Sequence, residues 1–274
     1  MNEVSNLVIP TGPENHPGGS SIDQVLAALE RGVQVDLIAT HEPVTCSTSD
    51  QWEEILSDKA KESFDQFPVD DHRNIVGVLE RKRQYGSGRL VGDVMHPLDD
   101  SMLAAASMGV LSYLRLAAES PYHMVVKENR ICGIVTPSDL LKLPVRVVLF
   151  TLVTHLEATM GGLIIHRFAS GGWEQYLSAS RQQKLRDEQE RLSKQRTEND
   201  PVLLCQLCDK REIIATGILP PDQRTHFSRD LEKLEKLRNN VMHASDYGHD
   251  ARNLGSLTEK AWAWIQELEE MKGR

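Results

Sequence analysis

The sequence predicts an α+β protein, with an N-terminal α/β module followed by an all-α helix bundle. Three observations predict it. Two stretches before residue 143 each run helix, strand, strand, helix over about sixty residues, which is the mark of an internal repeat. After residue 144 apolar residues recur at helical spacing in five successive segments, which predicts a bundle. Between them stands Leu143-Pro144, with Pro144 well placed for a helix start. The expected divisions are a loose, flexible lead-in over 1–20, the repeated module over 21–143 and the bundle over 144–274.

Each element has its own justification. Ser21-Ile22-Asp23 opens an amphipathic helix with Val25, Leu26 and Leu29 on one side, stopped at Gly32. Gln34 to Ala39 reads as a strand. Ser47 to Asp50 offers a cap for a helix whose stripe is Trp52, Ile55, Leu56, Ala60 and Phe64. Asn74 to Leu79 reads as a strand, followed by the basic run Arg81-Lys82-Arg83. The order then repeats. Val94 to Pro97 is a short extended start, and Ser101 to Glu119 has a long helical pattern. His123 to Lys127 and Arg130 to Thr136 are strands around an Glu128-Asn129 turn, and Pro137 begins the next helix. In the bundle, Val145 to Phe168 is the first helix, ended by Ser170-Gly171-Gly172. Trp173 to about Gln195 is a second helix with a very polar outer half. Asp200-Pro201 opens a third through Ile214, and Pro220-Pro221 breaks the chain before the fourth. Leu257, Ala261, Trp264, Leu268 and Met271 form the stripe of the last.

Charge and cysteine usage narrow the function classes. The formal net charge is −9, and it lies in the first 143 residues, because the remainder carries equal numbers of basic and acidic groups. The N-terminal half is therefore a poor nucleic-acid surface, while the C-terminal half tolerates RNA. Cys46, Cys132, Cys205 and Cys208 form no secreted disulfide framework, and Met1-Asn2-Glu3 does not begin a signal peptide, so a cytoplasmic location is expected. Cys205 and Cys208 form a lone pair without two further ligands nearby, so packed cysteines are expected there and no metal. The apolar run from Val145 is interrupted by Arg146, His155, Glu157, His166 and Arg167, which argues for a buried helix rather than a membrane span.

Two motifs carry chemistry. Gly133-Ile134-Val135-Thr136-Pro137-Ser138-Asp139-Leu140-Leu141 joins a strand to a helix start, and Val91-Gly92-Asp93-Val94-Met95-His96-Pro97 precedes that unit. Thr136 and Ser138 can cap the helix start, where free N–H groups favour a phosphate, and Asp139 is an acceptor for ribose hydroxyls. These residues resemble a CBS domain, a module that works as a tandem pair and often binds adenine nucleotides. The resemblance covers roughly residues 22–143. It implies AMP, ADP or ATP as a regulatory ligand held by Thr136, Ser138 and Asp139. The first unit departs from the pattern: aligning Gly77 with Gly133 puts Glu80 where Thr136 stands and Arg83 where Asp139 stands. One nucleotide site per chain is therefore expected.

The second motif lies on the fourth bundle helix. Phe227, Leu231, Leu234 and Val241 form its apolar seam, and Arg238 falls in that seam, where a guanidinium must be paired or face a wet cleft. His243 sits one turn beyond Asn239. Arg238-Asn239, three further residues and His243 resemble the motif of HEPN domains, over residues 144–274. The resemblance implies a metal-independent endoribonuclease with Arg238, Asn239 and His243 as catalytic residues. His243 would act as general base or acid. Arg238 would stabilise the phosphorane as the ribose 2′-hydroxyl attacks the adjacent phosphate of single-stranded RNA, leaving a 2′,3′-cyclic phosphate. It also implies a homodimer that builds the site from two copies of the motif. The combined expectation is a ribonuclease that responds to an adenine nucleotide. The alternative is a non-catalytic nucleotide-sensing regulator whose bundle serves dimerisation or RNA binding.

Overall fold

The computed structural model describes residues 21–87, 89–194, 200–242 and 251–273. The expected lead-in over 1–20 lies outside them. The architecture is a mixed α/β module of two four-stranded sheets followed by a helical region.

In the module, α1 (Ser21–Gly32) leads through a 3-10 turn at Val35–Leu37 to β1 (Thr40–His41). Next come β2 (Cys46–Ser47), α2 (Trp52–Ser57), a second 3-10 turn at Lys59–Lys61, β3 (Gln66–Asp70) and β4 (Ile75–Glu80). The second unit comprises α3 (Val91–Val94), β5 (His96–Pro97), β6 (Leu103–Ala105), α4 (Val110–Leu116), β7 (His123–Lys127) and β8 (Arg130–Val135). The sheets run β2-β3-β4-β5 and β6-β7-β8-β1. Each unit therefore completes its sheet with the short strand that leads into the other unit. β5 pairs with β4 just before β6 begins, and β1 pairs with β8 just before β2 begins.

The internal repeat is visible in the registers. Each parallel pair is followed by an antiparallel pair with one ladder irregularity, at Val69/Asp70 in the first unit and Val125/Val126 in the second. Gly77 pairs with Val69 and Pro97, and Gly133 pairs with Val125 and His41. A Cβ at Gly77 would stand 2.6 Å from the His96 carbonyl oxygen, and one at Gly133 would stand 2.8 Å from that of Thr40. Glycine is required at both places because a neighbouring backbone crosses there.

The helical region holds α5 (Leu143–Arg167), α6 (Ala179–Ser193), α7 (Leu207–Gly217), α8 (Pro221–Met242) and α9 (Ala251–Gly273). Among the described residues α5 is the one helix long and apolar enough to cross a membrane, but most of it is buried, as expected for a core helix. It packs against α7, α8 and α9, and also against α1 and α4 of the module. A single apolar core runs from Leu26, Ile38 and Leu114 in the module through Leu152 and Leu156 of α5 to Leu234 and Leu268. Polar clamps close the bundle. Arg181 donates to both oxygens of buried Asp209, at 2.8 and 2.6 Å, joining α6 to α7. Asp230 accepts from Lys260 at 2.7 Å and from Trp264 at 3.4 Å, joining α8 to α9. Burial alone would raise the Asp230 pKa, but these donors outweigh it and hold the carboxyl below its ordinary value.

Several elements differ from the sequence-based expectation. Gln34 to Ala39 is not a strand, because Val35, Ile38 and Ala39 are buried together by a helical turn. The expected helix over 101–119 starts only at Val110. Before it, Met102, Ala104 and Ala106 are buried in alternation, the period of a strand, so Leu103–Ala105 pairs with β7. β3 was unexpected because Pro68 interrupts it. The two residues of β2 pair only with Val69 and Asp70, so the missing N–H of Pro68 disrupts no bond on that side. The expected helices after Trp173 and Asp200 each begin as a 3-10 turn, at Trp173–Tyr176 and Pro201–Leu204. The α helices start later, α6 behind the Ser178 cap and α7 behind Gln206. Pro137 begins a 3-10 turn, Pro137–Leu141, rather than an α-helix.

Gly255 of α9 sets how closely the two halves approach: a Cβ there would lie 2.6 Å from the Leu114 carbonyl oxygen of α4 and 3.3 Å from Ala118 Cβ just beyond that helix. Gly255→Val should destabilise the protein by about 1–3 kcal/mol through overpacking. Urea unfolding checks this, and Gly273→Val, with open space around it, is the control.

Candidate functional site

The strand-to-turn motif of the second unit folds around Asp139, which is 4 % exposed. Its Oδ2 accepts the Thr136 N–H at 2.7 Å and the Thr136 hydroxyl at 2.9 Å. Its Oδ1 accepts the Thr40 hydroxyl at 2.9 Å and pairs with Lys142 Nζ at 2.7 Å. Ser138 Oγ stands 2.8 Å from Thr136 Oγ1. Lys142 also donates to the Ile38 carbonyl at 2.6 Å. Thr136, Ser138 and Asp139 are thus brought together as expected, but Asp139 is occupied by donors from three segments. Ser138 is exposed and Thr136 half-buried. Pro137–Leu141 is a 3-10 turn and not the helix start whose free N–H groups were expected to favour a phosphate, so any anion here would rely on the hydroxyls of Thr136 and Ser138. Sequence reasoning missed Thr40 and Lys142, because Thr40 lies 99 residues from Asp139 along the chain.

The equivalent corner of the first unit is built differently. The Glu80 N–H donates to Tyr85 Oη at 3.0 Å, so a phenol takes the capping place that Asp139 holds in the second unit. Tyr122 Oη donates to Glu80 Oε1 at 3.0 Å. Arg83 is exposed. A carboxylate here repels phosphate.

Beside the second corner, Tyr113 Oη lies 3.2 Å from His123 Nδ1. Both side chains are buried. Burial, and then the Asp139 charge, push the Tyr113 phenol above its ordinary range, so it remains a donor. His123 Nε2 has no hydrogen-bond partner among the described residues, and burial lowers the imidazole to about 4.

The second motif sits at the C-terminal end of α8. Phe227, Leu231, Leu234, Leu237 and Val241 are buried, and Arg238 is paired, as its place in the seam requires. Arg238 Nη1 lies 3.0 Å from Glu157 Oε2 of α5, and Lys210 Nζ of α7 lies 3.0 Å from Glu157 Oε1. Arg238 Nη2 is 3.4 Å from Asn239 Oδ1. Arg146 of α5 donates to the Val241 carbonyl at 3.3 Å and to that of Leu141 at 3.1 Å. Two cations thus share one carboxylate, and a third, Arg146, holds the end of α8. Asn239 is exposed and Arg238 is about a quarter exposed. His243, expected as the acid–base group, lies outside the described residues. Cys205 is buried, and burial pushes its thiol to about 12, while Cys208 is partly exposed.

No protein-family model matches the chain, and no curated protein matches it. Solved structures do match its N-terminal portion. One is the CBS domain of the bacterial CNNM/CorC family Mg2+ transporter in complex with ATP, 24 % identical over 45 % of this chain and 94 % of that one, with a TM-score of 0.37. Another is CBSX2 in complex with AMP, 20 % identical over 42 % and 98 %, with a TM-score of 0.36. A third is the CBS domains of a transcriptional regulator from Streptococcus pneumoniae, 20 % identical over 40 % and 97 %, with a TM-score of 0.35.

His123 makes stability depend on pH. Its folded pKa of about 4 lies below the model-peptide 6.5, so the unfolded chain takes up a proton first as pH falls. Its stabilising contribution is complete above pH 6.5 and is lost as pH falls through 4, by about 3 kcal/mol in all. Urea midpoints between pH 7 and pH 4 should fall less steeply for His123→Gln than for the unsubstituted protein.

Proposed function

We propose that this chain is an adenine-nucleotide-responsive regulator with its ligand at the Thr136–Ser138–Asp139 corner, coupled to a metal-independent endoribonuclease in the helical region. The observation that carries the reading is the Lys142 bridge. Lys142 pairs with Asp139 and is also the N-cap residue of α5. A ribose hydroxyl that takes Asp139 Oδ1 must displace Lys142 or Thr40, and displacing Lys142 frees the start of α5. The same helix carries Arg146, which reaches the end of α8, and Glu157, which holds Arg238. Occupancy of the corner is thereby felt at Arg238. The adenine nucleotide is the ligand class implied by the motif's resemblance to CBS domains.

In the helical region, Arg238 would stabilise the phosphorane, Asn239 would orient phosphate or imidazole, and His243 would transfer the proton. A homodimer brings two such motifs together. The exposed face of α5 favours that assembly, since Leu143, Val147, Phe150, Thr154, Ala158 and Ile165 give it an uncharged stripe on the helix that holds Arg238. One observation favours the second reading, a non-catalytic dimerising or RNA-binding bundle: Glu157 already neutralises part of the charge on Arg238.

Two experiments separate these readings. Calorimetry with AMP, ADP and ATP should give one site per chain. Asp139→Ala should weaken binding about tenfold or more, as a buried hydroxyl loses its acceptor. Lys142→Met should strengthen it several-fold by removing the competitor for Oδ1. An absence of heat with every nucleotide sinks the sensor reading, and weaker binding by Lys142→Met sinks the displacement step. The second experiment measures cleavage of single-stranded RNA in excess chelator. Cleavage should be lost in Arg238→Ala and in His243→Ala with dimer and helicity retained. RNA binding without cleavage by the unsubstituted protein selects the non-catalytic reading.

A further inference from the structure

Away from both motifs, Asp36, His41 and Cys132 gather on the outer side of the β1–β8 pair. One donor atom from each lies within 4.8 Å of the others, and this is the one such cluster among the described residues. Asp36 comes from the 3-10 turn after α1, His41 from β1 and Cys132 from β8, next to Gly133, the partner of His41.

The hydrogen bonds leave a cation-shaped place. His41 Nδ1 is 3.2 Å from the Cys132 carbonyl oxygen, so an Nδ1–H can donate there. That tautomer puts the lone pair on Nε2. Nε2 faces the Asp36 carbonyl oxygen at 3.0 Å and Asp36 Oδ1 at 3.6 Å, both of which are acceptors. A neutral imidazole cannot donate to both carbonyls. A cation between Nε2 and these oxygens would satisfy both sides. Asp36 Oδ1 is a buried atom with no hydrogen-bond partner among the described residues. The other oxygen, Oδ2, is held by Lys127 at 2.8 Å. The hydrogen bond from Lys127, outweighing desolvation, keeps the Asp36 carboxyl below its ordinary pKa, so it is ionised at neutral pH.

We propose that Asp36 Oδ1, His41 Nε2 and Cys132 Sγ form a binding site for a zinc-class divalent cation. The donor set selects the ion. Imidazole, thiolate and carboxylate together suit zinc and cobalt, whereas magnesium and calcium prefer all-oxygen sites. In a tetrahedral zinc site neighbouring donor atoms stand roughly 3.3–3.8 Å apart, given metal–ligand distances of about 2.0–2.3 Å. The Nε2–Oδ1 edge, at 3.6 Å, already has that length. The backbone carbonyl on Nδ1–H is the outer partner that fixes a ligating imidazole. The fourth position is left to solvent. Burial, and then the Asp36 charge, raise the Cys132 thiol, so it is protonated before binding. The ion replaces that proton on Sγ, and the proton leaves to buffer. His41 is the neighbour of Thr40, so an ion here pins the strand whose hydroxyl holds Asp139.

Cobalt(II) titration of the full chain, kept reduced with a phosphine, tests the site without any reference to nucleotide or RNA. One equivalent should produce a thiolate-to-cobalt charge-transfer band and tetrahedral d–d bands, and zinc should displace them. Cys132→Ser should abolish the charge-transfer band. His41→Ala, a change at an exposed side chain, should abolish tight binding while circular dichroism stays unchanged, and Asp36→Asn should weaken it. Cys208→Ser should leave the spectrum as it was. A band that survives Cys132→Ser or disappears in Cys208→Ser assigns the metal to the other cysteine pair and overturns the proposal. So does the absence of any band in excess cobalt.

Discussion

The structure depends on the burial of one helix. α5 has no charged face: most of its apolar side chains are buried, and it packs against α7, α8 and α9 of the helical region and against α1 and α4 of the module. Apolar surface on that scale is stable in water only if both halves of the chain cover it. The module and the bundle are consequently joined through one core and not merely through a linker. The contact of α9 with α4, close enough to require Gly255, follows from the same demand.

That demand places polar groups where they cannot be left unpaired. Asp139 is buried beside the first turn of α5, so its two oxygens recruit Thr136, Thr40 and Lys142. Glu157 on the same helix faces nearly buried Lys210 and part-exposed Arg238, and it holds both. The helix therefore meets an ion pair at each candidate site, through Lys142 at its N-cap and through Glu157 along its length. A carboxylate surrounded by donors from three segments acts as a joint between them, and a competing ligand would act on the fold as well as on the pocket. The same rule applies away from α5. Glu30 of α1 accepts the Leu111 and Ser112 N–H groups, each at 3.1 Å, and so caps α4, whose own preceding residue is Gly109.

Much of the candidate site was legible in the sequence. The Gly133 to Leu141 motif showed Thr136, Ser138 and Asp139 as one turn, since a strand entering Thr-Pro-Ser-Asp must bend and cap itself locally. The seam of α8 showed Arg238 in a position that needed a partner. Neither pattern could name that partner. Glu157 lies 81 residues from Arg238 in the chain, and Thr40 lies 99 from Asp139. The cluster of Asp36, His41 and Cys132 was also invisible, because a spacing of five followed by ninety-one matches no local motif. It exists because β1 crosses over to pair with β8.

The sequence by itself determined the repeat, the order of most elements, the helix start at Leu143-Pro144 and the helical second half. These follow from period, caps and breakers, which act over a few residues. Tertiary structure decided where short segments became strands. Thr40–His41 and His96–Pro97 are too brief to be stable alone and exist as strands because each completes the other unit's sheet. It also decided the turn at Gln34 to Ala39 and the strand inside the alanine-rich 103–105, where burial against distant partners outweighed local propensity. Above all it decided which donors meet each buried carboxylate. That choice is electrostatic and long-range, and one-dimensional spacing carries no record of it.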